Sequence, residues 1–208
     1  MSAASFDILR KVTTATITTM LLKKGIRRCW MNGPKPLVRG GERIVGPAFT
    51  LRFVPVREDL ATPESWASPI STRAAIEDMP EGVIAIADAM GVPSAGIFGD
   101  ILCARMKKRN VAALVTDGVM RDRAGVLASA LPVWCAGVAA PASVNGLTLS
   151  AGSSRSVVAA ARCFLAMSLS STMMVRLSFR RTWSSSSRMK APNTSCMKVG
   201  SSARSRRA

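Results

Sequence analysis

Hydrophobic and polar positions follow two rhythms along the first 148 residues and none after them. From Phe6 to Lys24, apolar residues at Ile8, Leu9, Val12, Ile17, Met20 and Leu21 match a helical period loosely. The pattern predicts one helix, weakened by its threonines and capped at Gly25. Gly33–Pro34 and Gly40–Gly41 mark loops. Residues Ile44 to Val54 alternate as a strand does, with Pro47 pointing to an edge or an irregular start. Arg57 to Pro69 reads as a surface loop, and Ser71 to Asp78 as a short helix.

A regular alternation follows. Val83–Asp88 is a buried-type strand, Phe98–Arg109 a helix opened by Gly99–Asp100, and Ala112–Thr116 a second buried strand. Arg121–Ala130 is a helix and Pro132–Ala136 a third strand. Strand–helix–strand–helix–strand implies parallel strands in an α/β fold. Ligands in such sheets sit beyond the carboxyl ends of the strands. Asp88, Asp117 and the pair Arg121–Asp122 all fall there. Of these, Asp88 reads as a strand end and Asp117–Gly118 as an ordinary βα turn.

Composition divides the chain. The net charge is +17, yet all 12 acidic residues lie between Asp7 and Asp122. Residues 149–208 hold 11 Arg or Lys, no acid, and a serine run from Ser184 to Ser187. The first 148 residues carry 18 basic and 12 acidic groups, a net +6. Such a boundary separates residues 1–148, one domain, from residues 149–208, a basic Ser/Arg-rich tail. Eleven positive charges would hold phosphate non-specifically, so no specific nucleic-acid partner is expected.

No apolar run reaches the roughly 18 residues of a membrane span, and the charged, threonine-rich start is a poor signal peptide. The expectation is a soluble cytoplasmic protein with no membrane partner. Histidine is absent, which removes Ser-His-Asp and Cys-His catalysis and every His-based metal site. The five cysteines form no CxxC pair and read as reduced structural thiols. Any metal would rest on carboxylates, carbonyls and water, which suits Mg²⁺ or Mn²⁺.

The segment GDILCARMKKRNVAALVTDGVMRD, Gly99 to Asp122, joins these features. A Gly-acidic pair opens a helix, whose N–H groups and dipole would receive a carboxylate. Arg121 offers a planar fork to the same carboxylate. Asp122 would hold a divalent cation, which acts as a Lewis acid on a bound 2-oxo acid. Desolvated lysine, as a Schiff-base aldolase needs, is not expected: Lys107 and Lys108 sit on a basic helix face and Lys35 lies between prolines in a loop.

This frame, ending in D-G-x-x-R-D, resembles the RraA-like family over about residues 13–148. That family takes in the regulator of ribonuclease activity A and the 4-hydroxy-4-methyl-2-oxoglutarate aldolases. The resemblance implies an α/β sandwich with a central sheet, like the phosphohistidine swivelling domain. It implies a metal-dependent lyase that cleaves pyruvate-yielding 2-oxo acids or decarboxylates oxaloacetate, and a homotrimer. By resemblance, Arg121 and Asp100 are the catalytic residues and Asp122 the metal ligand. Gly99, Asp100, Ile101 and Leu102 join Arg121 in binding the substrate. The alternative the resemblance leaves open is a non-enzymatic regulator that binds a ribonuclease.

Family members continue past the equivalent of Asn145–Leu147 with further strands and an acidic helix; this chain does not. Shifting the reading frame at Leu149 turns the Met173–Met174–Val175 codons into Asp-Gly, and those of Met189–Lys190 and Met197–Lys198 each into Glu. These residues belong to a turn and an acidic helix. The hypothesis is a frameshift near Thr148, leaving the family's C-terminal strands missing and residues 149–208 unselected for packing, apart from the apolar stretch Val157–Val175. Resequencing that DNA tests it; codon usage typical of real coding sequence throughout the tail would end the idea.

Overall fold

The computed structural model describes residues 3–27, 29, 31, 33–40, 43–59 and 62–150, together with the backbone of two strands at 162–168 and 172–178. Two helices open it, α1 (Ala3–Lys11) and α2 (Thr14–Lys23), where the sequence pattern predicts one. Thr13 breaks the run: its backbone is extended, and its side chain accepts a hydrogen bond from the Thr16 N–H. A threonine that satisfies one free N–H favours a new helix start over continuing the old one. Past α2, the Ile26 N–H reaches back to the Leu21 carbonyl across Gly25, so the glycine does end the helix.

Among the described residues the main sheet has eight strands. They are β1 (Lys35–Pro36), β2 (Ile44–Pro55), β3 (Ile84–Asp88), β5 (Ala113–Thr116), β7 (Val133–Cys135), β9 (Leu147–Leu149), β10 (Arg162–Ser168) and β11 (Thr172–Ser178). Their order is β1-β7-β5-β3-β2-β10-β11, with β9 pairing the far end of β2. β2, β3, β5 and β7 run parallel, as the repeated strand–helix pattern requires. Pro47 stands one residue before the β2–β3 ladder begins at Ala48, on a strand that is paired on both sides rather than at an edge. Strands β10 and β11 form a hairpin within or beside the apolar stretch exempted from the tail; the rest of residues 151–208 lies outside the described residues.

Three more strands form a second, wholly parallel sheet: β4 (Gly96–Phe98), β6 (Val119–Met120) and β8 (Gly137–Val138). The chain visits the two sheets in turn, running β3 to β4, β5 to β6 and β7 to β8. Helix α4 (Asp100–Lys108) leaves β4 and helix α5 (Arg123–Ala128) leaves β6. The pattern predicted the long strands and the helices but not the second sheet, because two or three residues are too few to show a period. It also assigned Phe98 to the helix and Arg121 and Asp122 to the next one; the structure gives Phe98 to β4 and starts α5 at Arg123. The loop before helix α3 (Thr72–Glu77) contains a 3₁₀ turn at Pro63–Ala67.

The principal core fills the space between the main sheet and α3, α4 and α5. Leu51 and Phe53 of β2 meet Ile76, Met106 and Val126 of the helices there, with Phe98 and Met120 of the small sheet. Phe53 meets Phe98 edge-to-face at 6.1 Å, which fastens the two sheets together. The opposite face carries a smaller cluster, Ile84, Ala113, Val115 and Trp134. All four residues of β5 are buried, as expected of a parallel strand covered on both faces.

Candidate functional site

The small sheet brings the two sequence motifs together. Phe98 pairs with Met120 in parallel register, so the residues after them emerge side by side. The Arg121 N–H donates to the Phe98 carbonyl at 2.7 Å. Gly99 thus caps α4 directly beside Arg121, whose Cβ lies within 3.7 Å of a Cβ placed on that glycine. Gly96 provides the floor: a Cβ there would collide with Arg121 Cγ and stand 2.9 Å from the Arg121 nitrogen. Only a bare backbone lets the arginine lie flat across β4.

The guanidinium is aimed by one bond, from Nε to the Ala140 carbonyl at 3.0 Å. Its two Nη groups have no hydrogen-bond acceptor among the described residues, and the side chain is exposed. Beneath it the first turn of α4 leaves backbone N–H groups free, as every helix start does. A cleft of about 220 Å³ is lined by Gly99, Asp100, Ile101, Leu102 and Arg121 together. These five are the residues the sequence reading assigned to substrate. The same cleft is also lined by Ser71, Thr72, Arg73, Gly96 and Ser143, which that reading missed. No local motif marks them, since α3 and the turn at Ser143–Asn145 reach the site only through packing.

Asp122 occupies a different place. It does not line the cleft; it caps α5, with Oδ1 3.4 Å from the Gly125 N–H. Its backbone is left-handed, φ 46 and ψ 64, which turns the chain from β6 into α5 without a loop. Aspartate tolerates that conformation better than most residues. Asp100 approaches Asp122 across Gly125: a Cβ on that glycine would stand 2.5 Å from Asp100 Cβ and 3.0 Å from Asp122 Oδ2. The Asp100 carboxylate accepts no hydrogen bond among the described residues. Two converging carboxylates suit Mg²⁺ or Mn²⁺, which keep several waters, and a cluster of three or more His, Cys, Asp or Glu is absent among the described residues.

The neighbouring acids have structural work. Asp117 accepts from the Ala89 N–H at 2.6 Å and the Gly91 N–H at 2.9 Å, tying the β3–β4 connection to the β5–β6 turn. Asp88 accepts from the Met90 N–H at 3.1 Å and lies 3.7 Å from Arg52. Cys103, one turn along α4 from Asp100, is fully buried, and burial first, then the Asp100 charge, pushes its thiol up to about 12. It is a neutral packing group, and the free Cys29 and Cys135 are buried as well. No helix of the described residues is long and apolar enough to cross a membrane.

The sequence profile of a family described as RraA-like, aldolase/RraA, matches residues 14–160. The chain is 32% identical to a crystal structure of Streptomyces coelicolor RraAS2, called an unusual member of the RNase ES inhibitor RraA protein family. That likeness covers 73% of this chain and 71% of that one, with a TM-score of 0.63. The RNA-processing inhibitor RraA from Thermus thermophilis shares the fold at 16% identity and a TM-score of 0.51, over 79% of this chain and 92% of that one. Protein DlpA of Legionella pneumophila is 27% identical over 132 residues, 57% of this chain. The chain spans only 20% of that relative's length.

Proposed function

The chain belongs to the RraA-like family, and on that premise we propose that it is a divalent-metal-dependent lyase that cleaves a pyruvate-yielding 2-oxo acid. One observation carries the reading: the uncommitted Nη groups of Arg121 and the open first turn of α4 face one cleft, with Asp100 on its wall. Arg121 grips one oxygen of the substrate carboxylate through its Nη groups, and the α4 N–H groups receive the other. Asp122 would hold the cation, Mg²⁺ or Mn²⁺, with Asp100 reaching it only through water. When bound, it supplies positive charge toward the 2-oxo oxygen as the carbon–carbon bond breaks. Asp100 takes the proton from the 4-hydroxyl and returns it to the pyruvate methylene carbon. Ala140 and Gly96 keep the guanidinium flat, so its fork meets the carboxylate without reorganising.

The test is pyruvate release from 4-hydroxy-4-methyl-2-oxoglutarate and from oxaloacetate, with Mg²⁺, Mn²⁺ or EDTA. It is run on this chain and on a version with the reading frame restored after Thr148. Cation-dependent turnover is expected, falling about a hundredfold or more in Arg121→Ala and Asp122→Ala. Full turnover in either variant would refute the site.

The likeness to the Streptomyces coelicolor structure favours a second reading, a regulator that binds a ribonuclease. Capture of a ribonuclease by this chain, with no lyase activity on the same two oxo acids, would put that reading first.

A further inference from the structure

The cleft at Arg121 opens on its far side into a second chamber, of about 380 Å³. Ser71, Thr72 and Ser143 line both cavities and so form the throat between them. They come from two elements, the start of α3 and the 3₁₀ turn at Ser143–Asn145, which packing alone brings together. All three carry a hydroxyl with a proton to give. Ser71, only 7% exposed, accepts from the Ala74 N–H at 3.2 Å and has no acceptor for its own proton among the described residues. The hydroxyls of Thr72 and Ser143 have no hydrogen-bond partner among the described residues. A buried hydroxyl proton without an acceptor is costly unless water or a ligand takes it. The charges of the cleft favour one kind of acceptor. Arg73 and Arg121 line it against a single acid, Asp100, so an anion suits the throat better than a neutral group.

We infer that the throat holds the second carboxylate of the substrate, and that Ser71, Thr72 and Ser143 select a dicarboxylic over a monocarboxylic 2-oxo acid. The inference rests on the lyase reading of the Arg121 cleft and names the residues that read the far end of its substrate. The oxo-acid head stays at Arg121 and the α4 N-terminus. The second carboxylate lies across the cleft, accepting from the Thr72 and Ser143 hydroxyls and, deeper, from Ser71. Arg73 adds positive charge from the first turn of α3, beside Thr72.

The experiment is calorimetric binding of three probes to the full chain in saturating Mg²⁺: pyruvate, 2-oxopentanoate and 2-oxoglutarate. The last two share one carbon skeleton and differ in ending on a methyl or a carboxylate. Hydrogen bonds to a charged group are the stronger kind, so 2-oxoglutarate should bind at least about tenfold tighter than 2-oxopentanoate. Thr72→Val and Ser143→Ala each remove a hydroxyl and little volume. Each should weaken 2-oxoglutarate about fivefold or more, with pyruvate and 2-oxopentanoate keeping their affinity. Thr72→Ser keeps the hydroxyl and should keep the affinity for 2-oxoglutarate. If pyruvate binds through Arg121, as its loss in Arg121→Ala would show, and 2-oxoglutarate binds no tighter than 2-oxopentanoate, the throat is not a carboxylate site and the lyase reading stands. An equal loss for all three probes in Thr72→Val and Ser143→Ala would assign these residues to the framework and also overturn the inference. If pyruvate itself does not bind, both readings fall.

Discussion

The two sheets divide the labour unequally. The main sheet is built from residues such as Ile84, Ala85, Leu114 and Val115, buried to the last atom and bearing no chemistry. The small sheet has strands of two or three residues, and both candidate motifs begin where its strands end. Its strands cannot hold themselves together, since so short a ladder is marginal in water. They are held because each follows a main-sheet strand along the chain and because Phe98 and Met120 are packed in the common core. The polar residues that follow can then point outward with fixed positions. Rigid packing beneath, with reactive groups on the rim, is how a scaffold keeps a site in register.

Several substitutions would break or sharpen this division. Met106→Ala empties a fully buried place between α4 and the main sheet. It should cost about 2–5 kcal/mol in denaturant unfolding. Loss well below that would mean the core under α4 is looser than its burial implies.

Gly125→Ala reverses the usual sign. Alanine normally favours a helix interior over glycine by about 0.5–1 kcal/mol. Here its methyl meets Asp100, so a loss of about 1–3 kcal/mol is expected, with weaker Mn²⁺ binding by calorimetry. In an Asp100→Gly background the same change should become stabilising. A gain in the otherwise unchanged chain would show that the two carboxylates do not converge on Gly125.

Cys103 tests the boundary between core and rim by pH. Its thiol is pushed up to about 12, so the folded state keeps a proton that the unfolded chain gives up near pH 9. Stability is complete below pH 9 and falls as pH rises toward 12, by roughly 1.4 kcal/mol per unit. Cys103→Ala should flatten that fall between pH 8 and 10.5 in chemical denaturation. An unchanged slope would show that another group sets it.

The smallest effect concerns Ala130, exposed and left-handed at φ 53 after α5. Ala130→Gly should raise stability by about 1 kcal/mol, read as a higher melting temperature, without touching ligand binding.

Much of the main sheet was legible because β3, β5 and β7 are continuous apolar runs between turn residues. Gly99, Asp100 and Arg121 were legible because they share one segment and their chemistry is complementary. The break at Thr13 was not, since capping competes with helix propensity at the scale of single hydrogen bonds. The place of Arg73 and Ser143 in the cleft was not either, because the other lining residues lie tens of residues away in the chain.

By itself the sequence determined which runs are buried, that the strands are parallel, that Arg121 and Asp122 lie just past a strand, and that Asp100 opens a helix. Tertiary structure alone decided that Gly96 and Gly125 leave room for those groups to meet, and that Asp122 turns toward α5 rather than into the cleft. The reason is physical. Burial and period are properties of neighbours along the chain, whereas close approach depends on which backbones packing brings face to face.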